Sequence, residues 1–183
     1  DNMDRLLRLR RRRRRRTIEP LPQEMLPVFM AQRQGLFALG DSAEDLKRTL
    51  EGLFGYPAPA ELWEGSFFPM RLKTYFPDRL DRLMAEGRIV CLGCGGRRIS
   101  FCRPEDLELF TDYSDPAALR RRRSRAEELL PAMLGKFSFW EIHEHSGLSV
   151  EECRTALTKA FTAGAIHPDS FAPVRHGLLS GAN

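Results

Sequence analysis

An α+β fold, mainly helical with a short β-hairpin, is predicted by three observations in this 183-residue chain. Pro77 opens a segment in which Leu80, Leu83 and Met84 recur at i, i+3, i+4, the apolar stripe of an amphipathic helix, and Gly87 closes it. The period then falls from 3.6 to 2. Val90 and Leu92 alternate, Gly95-Gly96 supplies a tight turn, and Ile99 and Phe101 return on the same face. Farther on, Ser138-x-x-Glu141 and Ser149-x-x-Glu152 are two capping boxes with Gly147 between them, the signature of a helix-turn-helix.

The elements follow in order. Residues 1–19 read as a basic arm or the tail of a preceding helix. Residues 20–112 read as a first module. In it Gln34-Gly35-Leu36 precede the first helix, and a short helical piece around Trp63-Glu64 leads to Arg71 and Tyr75. The Pro77 helix and the hairpin come next. Helix, helix, hairpin is the order of a winged helix, a helix-turn-helix variant that usually meets nucleic acid. A two-residue turn pairs Cys94 with Arg97, Cys91 with Ser100 and Ile89 with Cys102, and it buries Phe101 beside Val90, Leu92 and Ile99.

Residues 113–183 read as a second winged helix, in tandem with the first and cut short at its C-terminal side. A helix opens near Pro116 and runs through Leu129. After the helix-turn-helix, Val150, Cys153, Leu157, Ala160 and Phe161 form one apolar stripe ending at Gly164, with a strand expected near Ala165–His167. The second helix begins Glu151-Glu152, which would meet phosphates with like charge, so this module is expected mainly to pack.

The net charge of +4 is unevenly divided. Residues 1–16 hold nine arginines against Asp1 and Asp4, a sum of +7, which leaves −3 for residues 17–183. Arg10, Arg11, Arg12, Arg13, Arg14, Arg15 and Arg16 form an uninterrupted run suited to several phosphates at once, giving salt-dependent, sequence-blind affinity. The alternative is a solvated helix tail. A second cluster, Arg120–Arg123 with Arg125, is offset by Glu127 and Glu128 and reads as a surface helix. In the first module, Arg79 and Arg82 lie opposite the apolar stripe, Arg71 and Lys73 precede the helix, and Arg97 and Arg98 flank the turn of the wing. These six are the candidate nucleic-acid contacts of the folded body. Against that stand the helix-stabilising spacings Asp78–Arg82 and Arg82–Glu86. Trp63 and Tyr75 are expected in the core rather than stacked on bases.

Metal and catalytic motifs are sparse. Cys91-x-x-Cys94 and Cys102 sit on a hairpin that turns Cys91 and Cys94 to opposite faces, and Cys153 is far along the chain. No zinc site is expected, and the cysteines read as reduced and mostly buried. His143-Glu144-His145 lacks the spacing that sets two ligands on one helical face, and no GxSxG occurs. No GxxxxGK[ST] occurs either, and Gly93-Cys94-Gly95-Gly96 is a turn rather than a phosphate loop. No apolar run approaches a membrane span, and no signal peptide precedes the basic stretch, so a cytoplasmic location is expected.

Several of these segments also carry a resemblance. Trp63-Glu64, Pro69-Met70-Arg71, Tyr75-Phe76-Pro77, Leu80-Asp81-Arg82-Leu83, Gly87-Arg88-Ile89-Val90 and Gly93 stand in order. Ala163-Gly164-Ala165-Ile166 and Asp169-Ser170-Phe171-Ala172-Pro173-Val174-Arg175 follow, and Gln34-Gly35-Leu36 comes ahead of them all. Together they cover most of residues 20–175 and resemble the Lhr-type helicases, large helicase-related DEAD/DEAH-box proteins of bacteria and archaea. Arg33 and Cys91 depart from the pattern, which often has Trp at both places.

The resemblance implies a segment downstream of an ATP-dependent motor, acting on nucleic acid in DNA repair. ATP and Mg would belong to the parent's motor, and no cofactor is expected in this segment. The partners implied are single-stranded or forked DNA, with RNA as an alternative, and other domains of the parent. Two other readings remain. Gln32-Arg33-Gln34-Gly35-Leu36 also resembles the opening of winged-helix DNA glycosylases, for which Asp169 would be the candidate carboxylate and Gln34 a weaker companion. The plainer roles are a helix cap for Gln34 and a chain turn for Asp169. The last reading is a purely structural scaffold.

Overall fold

The computed structural model describes residues 2–14, 21–110, 116–132 and 134–179. The chain divides into two compact units, residues 1–34 and 35–183. The first unit holds α1 (Asn2–Arg14) and α2 (Leu26–Arg33). Pro27 stands in the first turn of α2, where its missing N–H costs nothing, and α2 buries no side chain. Arg15 and Arg16 lie outside the described residues, as does the expected module boundary at 112/113.

The second unit starts with α3 (Ala43–Glu51), capped by Ser42, whose hydroxyl accepts from the Asp45 N–H while the Asp45 carboxylate takes the Ser42 N–H. Then come β1 (Ala58–Pro59) and α4 (Ala60–Leu62), which widens into a π-helical turn at Trp63–Phe67. Helix α5 (Pro77–Ala85) follows, with β2 (Val90–Gly93) and β3 (Arg98–Cys102) after it. Pro77 is the first residue of α5, and Leu80, Leu83 and Met84 are all buried, as the stripe predicts. Gly87 adopts φ +68° and the Arg88 N–H reaches back to the Leu83 carbonyl, so the stop signal works as read. The antiparallel sheet has the order β1-β3-β2. Strand β1 escapes sequence reading because two residues with a proline carry no periodic signal.

The hairpin register differs by one residue from the expected one. Cys91 faces Phe101 rather than Ser100, and Cys102 faces Val90 rather than Ile89. The cause is the turn. The Cys94 N–H donates to the Arg98 carbonyl at 2.9 Å and the Arg98 N–H to the Gly95 carbonyl at 3.2 Å, so Gly95, Gly96 and Arg97 form a three-residue loop. Both glycines have positive φ, a conformation glycine adopts without strain. A one-residue shift exchanges faces. Phe101 and Ile99 therefore share their face with Cys91 and not with Val90 and Leu92. Phe101 is nevertheless fully buried, and so is Cys102 on the opposite face.

Beyond the hairpin, α6 (Pro116–Glu127), α7 (Phe139–Ser146) and α8 (Val150–Thr162) pack about Leu129, Ile142, Cys153 and Ala160. Both capping boxes form, and Gly147 closes α7 in the left-handed region. Val150, expected on the buried stripe, stays half exposed; the stripe begins one turn later, at Cys153. The strand expected at Ala165–His167 is absent. Instead the Ala165 N–H closes α8 on the Ala160 carbonyl. The chain then runs to α9 (Ala172–Val174) and a π-helical turn at Arg175–Leu179. Phe171, Val174 and Leu178 enter the core of the first winged helix, alongside Trp63, Phe68 and Phe101. Among the described residues, the second helix-turn-helix has no hairpin of its own, and no helix is long and apolar enough to cross a membrane.

The core centres on an aromatic cluster: Trp63 and Phe101 meet edge to face with centroids 4.8 Å apart, and Phe101 lies 5.9 Å from Phe171. Phe101→Ala should therefore destabilise the protein by about 3–5 kcal/mol, read from urea or thermal unfolding. A second expectation concerns acid. Hydrogen bonds from the Ser42 hydroxyl, the Ser138 N–H and the Ser149 hydroxyl hold Asp45, Glu141 and Glu152 below the usual carboxylate range. Their folded values are depressed, so their contribution is complete above their ordinary values and is lost as pH falls through the lowered ones. The midpoint of unfolding should drop below about pH 4.5, and Glu152→Gln should flatten that dependence.

Candidate nucleic-acid interface

The surface of α5 is largely committed to contacts within the protein. Leu80, Leu83 and Met84 point inward. Arg79 donates to the Asp41 carbonyl at 2.7 Å, lies 3.6 Å from the Asp41 carboxylate and stacks over Phe76 at 4.8 Å. Asp81 is held on two sides: the Phe171 N–H reaches one oxygen at 2.6 Å and Arg175 the other at 2.7 Å.

Arg175 is the hinge pin of this region. Its Nε donates to both Glu64 oxygens, its Nη2 to Glu64 at 2.8 Å and to the Pro77 carbonyl at 3.3 Å, and its guanidinium lies 5.2 Å over Phe171. The Tyr75 hydroxyl also donates to Glu64. Burial, reinforced by the Glu64 carboxylate, pushes the Tyr75 hydroxyl far above its ordinary value, so it remains a donor. Partial burial works against the Arg175 charge, but the hydrogen bonds to Glu64 and Asp81 outweigh it and raise its pKa. Every one of these residues belongs to a segment that carries the resemblance noted in the sequence. The signal available there was an acid, Asp81, beside the core position Leu80 on α5, and another, Glu64, beside the buried Trp63.

The other candidate contacts fall as follows. Arg71 is buried, donates to the Phe67 carbonyl at 3.1 Å and has its pKa lowered by desolvation. Lys73 is exposed, and its N–H pairs with the Gly40 carbonyl. Arg82 is exposed on α5 between Asp78 and Glu86, and Glu86 lies 3.8 Å from Arg88. At the wing, Arg97 is tied to Glu61 through Nε at 2.7 Å, whereas Arg98 is exposed on the strand face away from Phe101. Arg10 is exposed on α1, whose backbone also carries Arg11–Arg14. Asp169 is exposed in the loop after α8, and Gln34 is exposed at the C-terminal end of α2, in the other unit. Among the described residues, no group of three or more His, Cys, Asp or Glu is placed to hold a metal ion.

The helix, strand, helix, helix, hairpin order with sheet order β1-β3-β2 is a winged helix. Residues 21–105 match the family described as the winged-helix domain of large helicase-related protein. The chain is 27% identical over 172 residues, 90% of its length, to a Mycolicibacterium smegmatis protein named "Lhr helicase/probable uracil glycosylase". It is 26% identical over its whole length to the Escherichia coli "Lhr helicase/uracil glycosylase". It spans 11% and 14% of these two relatives.

The winged helix is thus clasped by residues far beyond it, through Arg175. Removing that guanidinium leaves Glu64 and Asp81 facing each other with the site still half-buried. Arg175→Ala should cost about 2 kcal/mol, reduced from the value for a fully buried pair by its partial exposure. Arg175→Lys should not restore it, because an ammonium cannot span both carboxylates and the Pro77 carbonyl. Thermal unfolding of the two variants checks this.

Proposed function

We propose that this chain is a nucleic-acid-binding accessory segment of a larger ATP-dependent DNA helicase of the large helicase-related type. It holds or directs the unwound strand and does not itself hydrolyse ATP; ATP and Mg are bound by a motor elsewhere in the parent. The observation that carries this reading is the winged-helix domain at residues 21–105, in a chain whose two relatives are named helicases. Its partners are single-stranded or forked DNA, or RNA, and the remaining domains of the parent. A role in DNA repair and a cytoplasmic location accord with those partners.

Charge supports the reading. The nine arginines of residues 1–16 would release counterions from several phosphates, while the body of −3 repels a polyanion overall. Binding of labelled single-stranded and forked DNA, titrated with salt, tests this. Deleting residues 1–16 should lower affinity at least about tenfold at low salt and flatten the salt slope by about 0.7 for each lost single-strand phosphate contact. The unfolding midpoint of the remainder should not move. Unchanged binding would assign the arginines to a helix tail without electrostatic work.

The relatives' names favour a second reading, base excision. Asp169 would be the carboxylate acting at the glycosidic carbon of a flipped uracil. Alkaline treatment of uracil-containing oligonucleotides after incubation with the chain distinguishes the two: strand scission abolished by Asp169→Asn supports excision, and intact strands leave the accessory role alone.

A further inference from the structure

Building on the nucleic-acid-binding reading, the question is which face of the folded body meets the phosphates. The outward face of α5 is a poor choice. Its exposed residues Asp78, Arg82 and Glu86 set one cation between two acids, Glu86 is paired with Arg88, and the segment 171–175 lies against Pro77 and Asp81. A polyanion approaching there meets no net attraction and a side already occupied.

A different seam gathers the cations. Gly93 of β2 packs so closely on the end of α8 that a Cβ there would stand 1.9 Å from the Phe161 carbonyl oxygen. The Gly95 N–H donates to the Thr162 carbonyl at 3.0 Å, tying the wing to the same turn. A Cβ on Gly164 would stand 3.2 Å from the Gly93 carbonyl and 3.8 Å from the guanidinium carbon of Arg122. So the wing, the last turn of α8 and the side of α6 converge at one place. Arg98 is the cross-strand neighbour of Cys94 here. Helix α6 carries five arginines and one acid, with Arg120 and Arg123 exposed. Arg125 donates to the Lys159 carbonyl at 3.4 Å, which fixes α6 against α8.

We propose that a nucleic-acid phosphodiester backbone runs across this seam, over Arg98 of the wing and the arginines of α6, rather than over helix α5. The winged helix then serves as a backbone clamp, without base reading by its recognition helix. Contacts of this kind position a strand and carry no sequence information.

The test uses the full chain, with fluorescence anisotropy on labelled 20-nucleotide single strands of DNA and of RNA across a salt series. Variants are R98E, R120E/R123E, the triple combination, and R82E on α5; matching Arg→Gln versions guard against effects of reversed charge on folding, monitored by circular dichroism. Each seam variant should weaken binding about tenfold, the triple variant should also flatten the salt slope, and R82E should bind within about twofold of the native chain. Ultraviolet crosslinking followed by peptide mapping should place the strand on residues 94–103 and 116–127. Native-like binding by the triple variant, or crosslinks confined to 77–86, overturns the proposal while leaving the accessory role standing. A native chain that binds neither strand overturns both.

Discussion

Arg175 between Glu64 and Asp81 is the contact on which the arrangement of the second unit depends. It joins residues separated by 94 and 111 positions, and the Phe171 N–H adds a second bond to Asp81 across 90. A guanidinium suits this place because its planar fork reaches two carboxylates and a carbonyl at once. The charges are only partly screened there, so the clasp gives direction as well as energy: it draws Phe171, Val174 and Leu178 into the aromatic core and fixes where the chain must run after α8.

The same constraint accounts for the missing second hairpin. Residues 165–170 bridge from the end of α8 to the first core and have no strand to pair with. Strand β2, an edge of the sheet, has the last turn of α8 against its Gly93 end, and that closeness demands glycine at 93. The resemblance-bearing residues Trp63, Glu64, Asp81, Gly93, Gly164, Phe171 and Arg175 thus act together as packing and clasp. Their spacing in sequence records an architecture.

Electrostatics sorts the arginines by what they touch. Arg71, Arg79, Arg97 and Arg175 are engaged by carbonyls, carboxylates or rings. Arg88 and Arg103 pair with Glu44 and Glu51 across elements. Arg98 of the wing and Arg120 and Arg123 of α6 are exposed, as are Lys73 and Arg82 elsewhere on the body. A count of charges along the chain treats all of these alike, and only their surroundings separate the structural from the available.

By itself the sequence determined what local physics decides: the α5 stripe and its Pro77 start, the stops at Gly87 and Gly147, both capping boxes, the existence of the hairpin and the burial of Phe101. Each of these rests on interactions within about four residues or on alternation along a single strand. Tertiary structure decided the rest. The hairpin register hinged on one residue of loop length, with positive-φ glycines compatible with either turn. Strand β1, the inward turn of Arg71 and the loss of the 165–167 strand depend on partners supplied by distant segments. The clasp does so most of all, since nothing local marks Glu64, Asp81 and Arg175 as neighbours until the chain has folded back on itself.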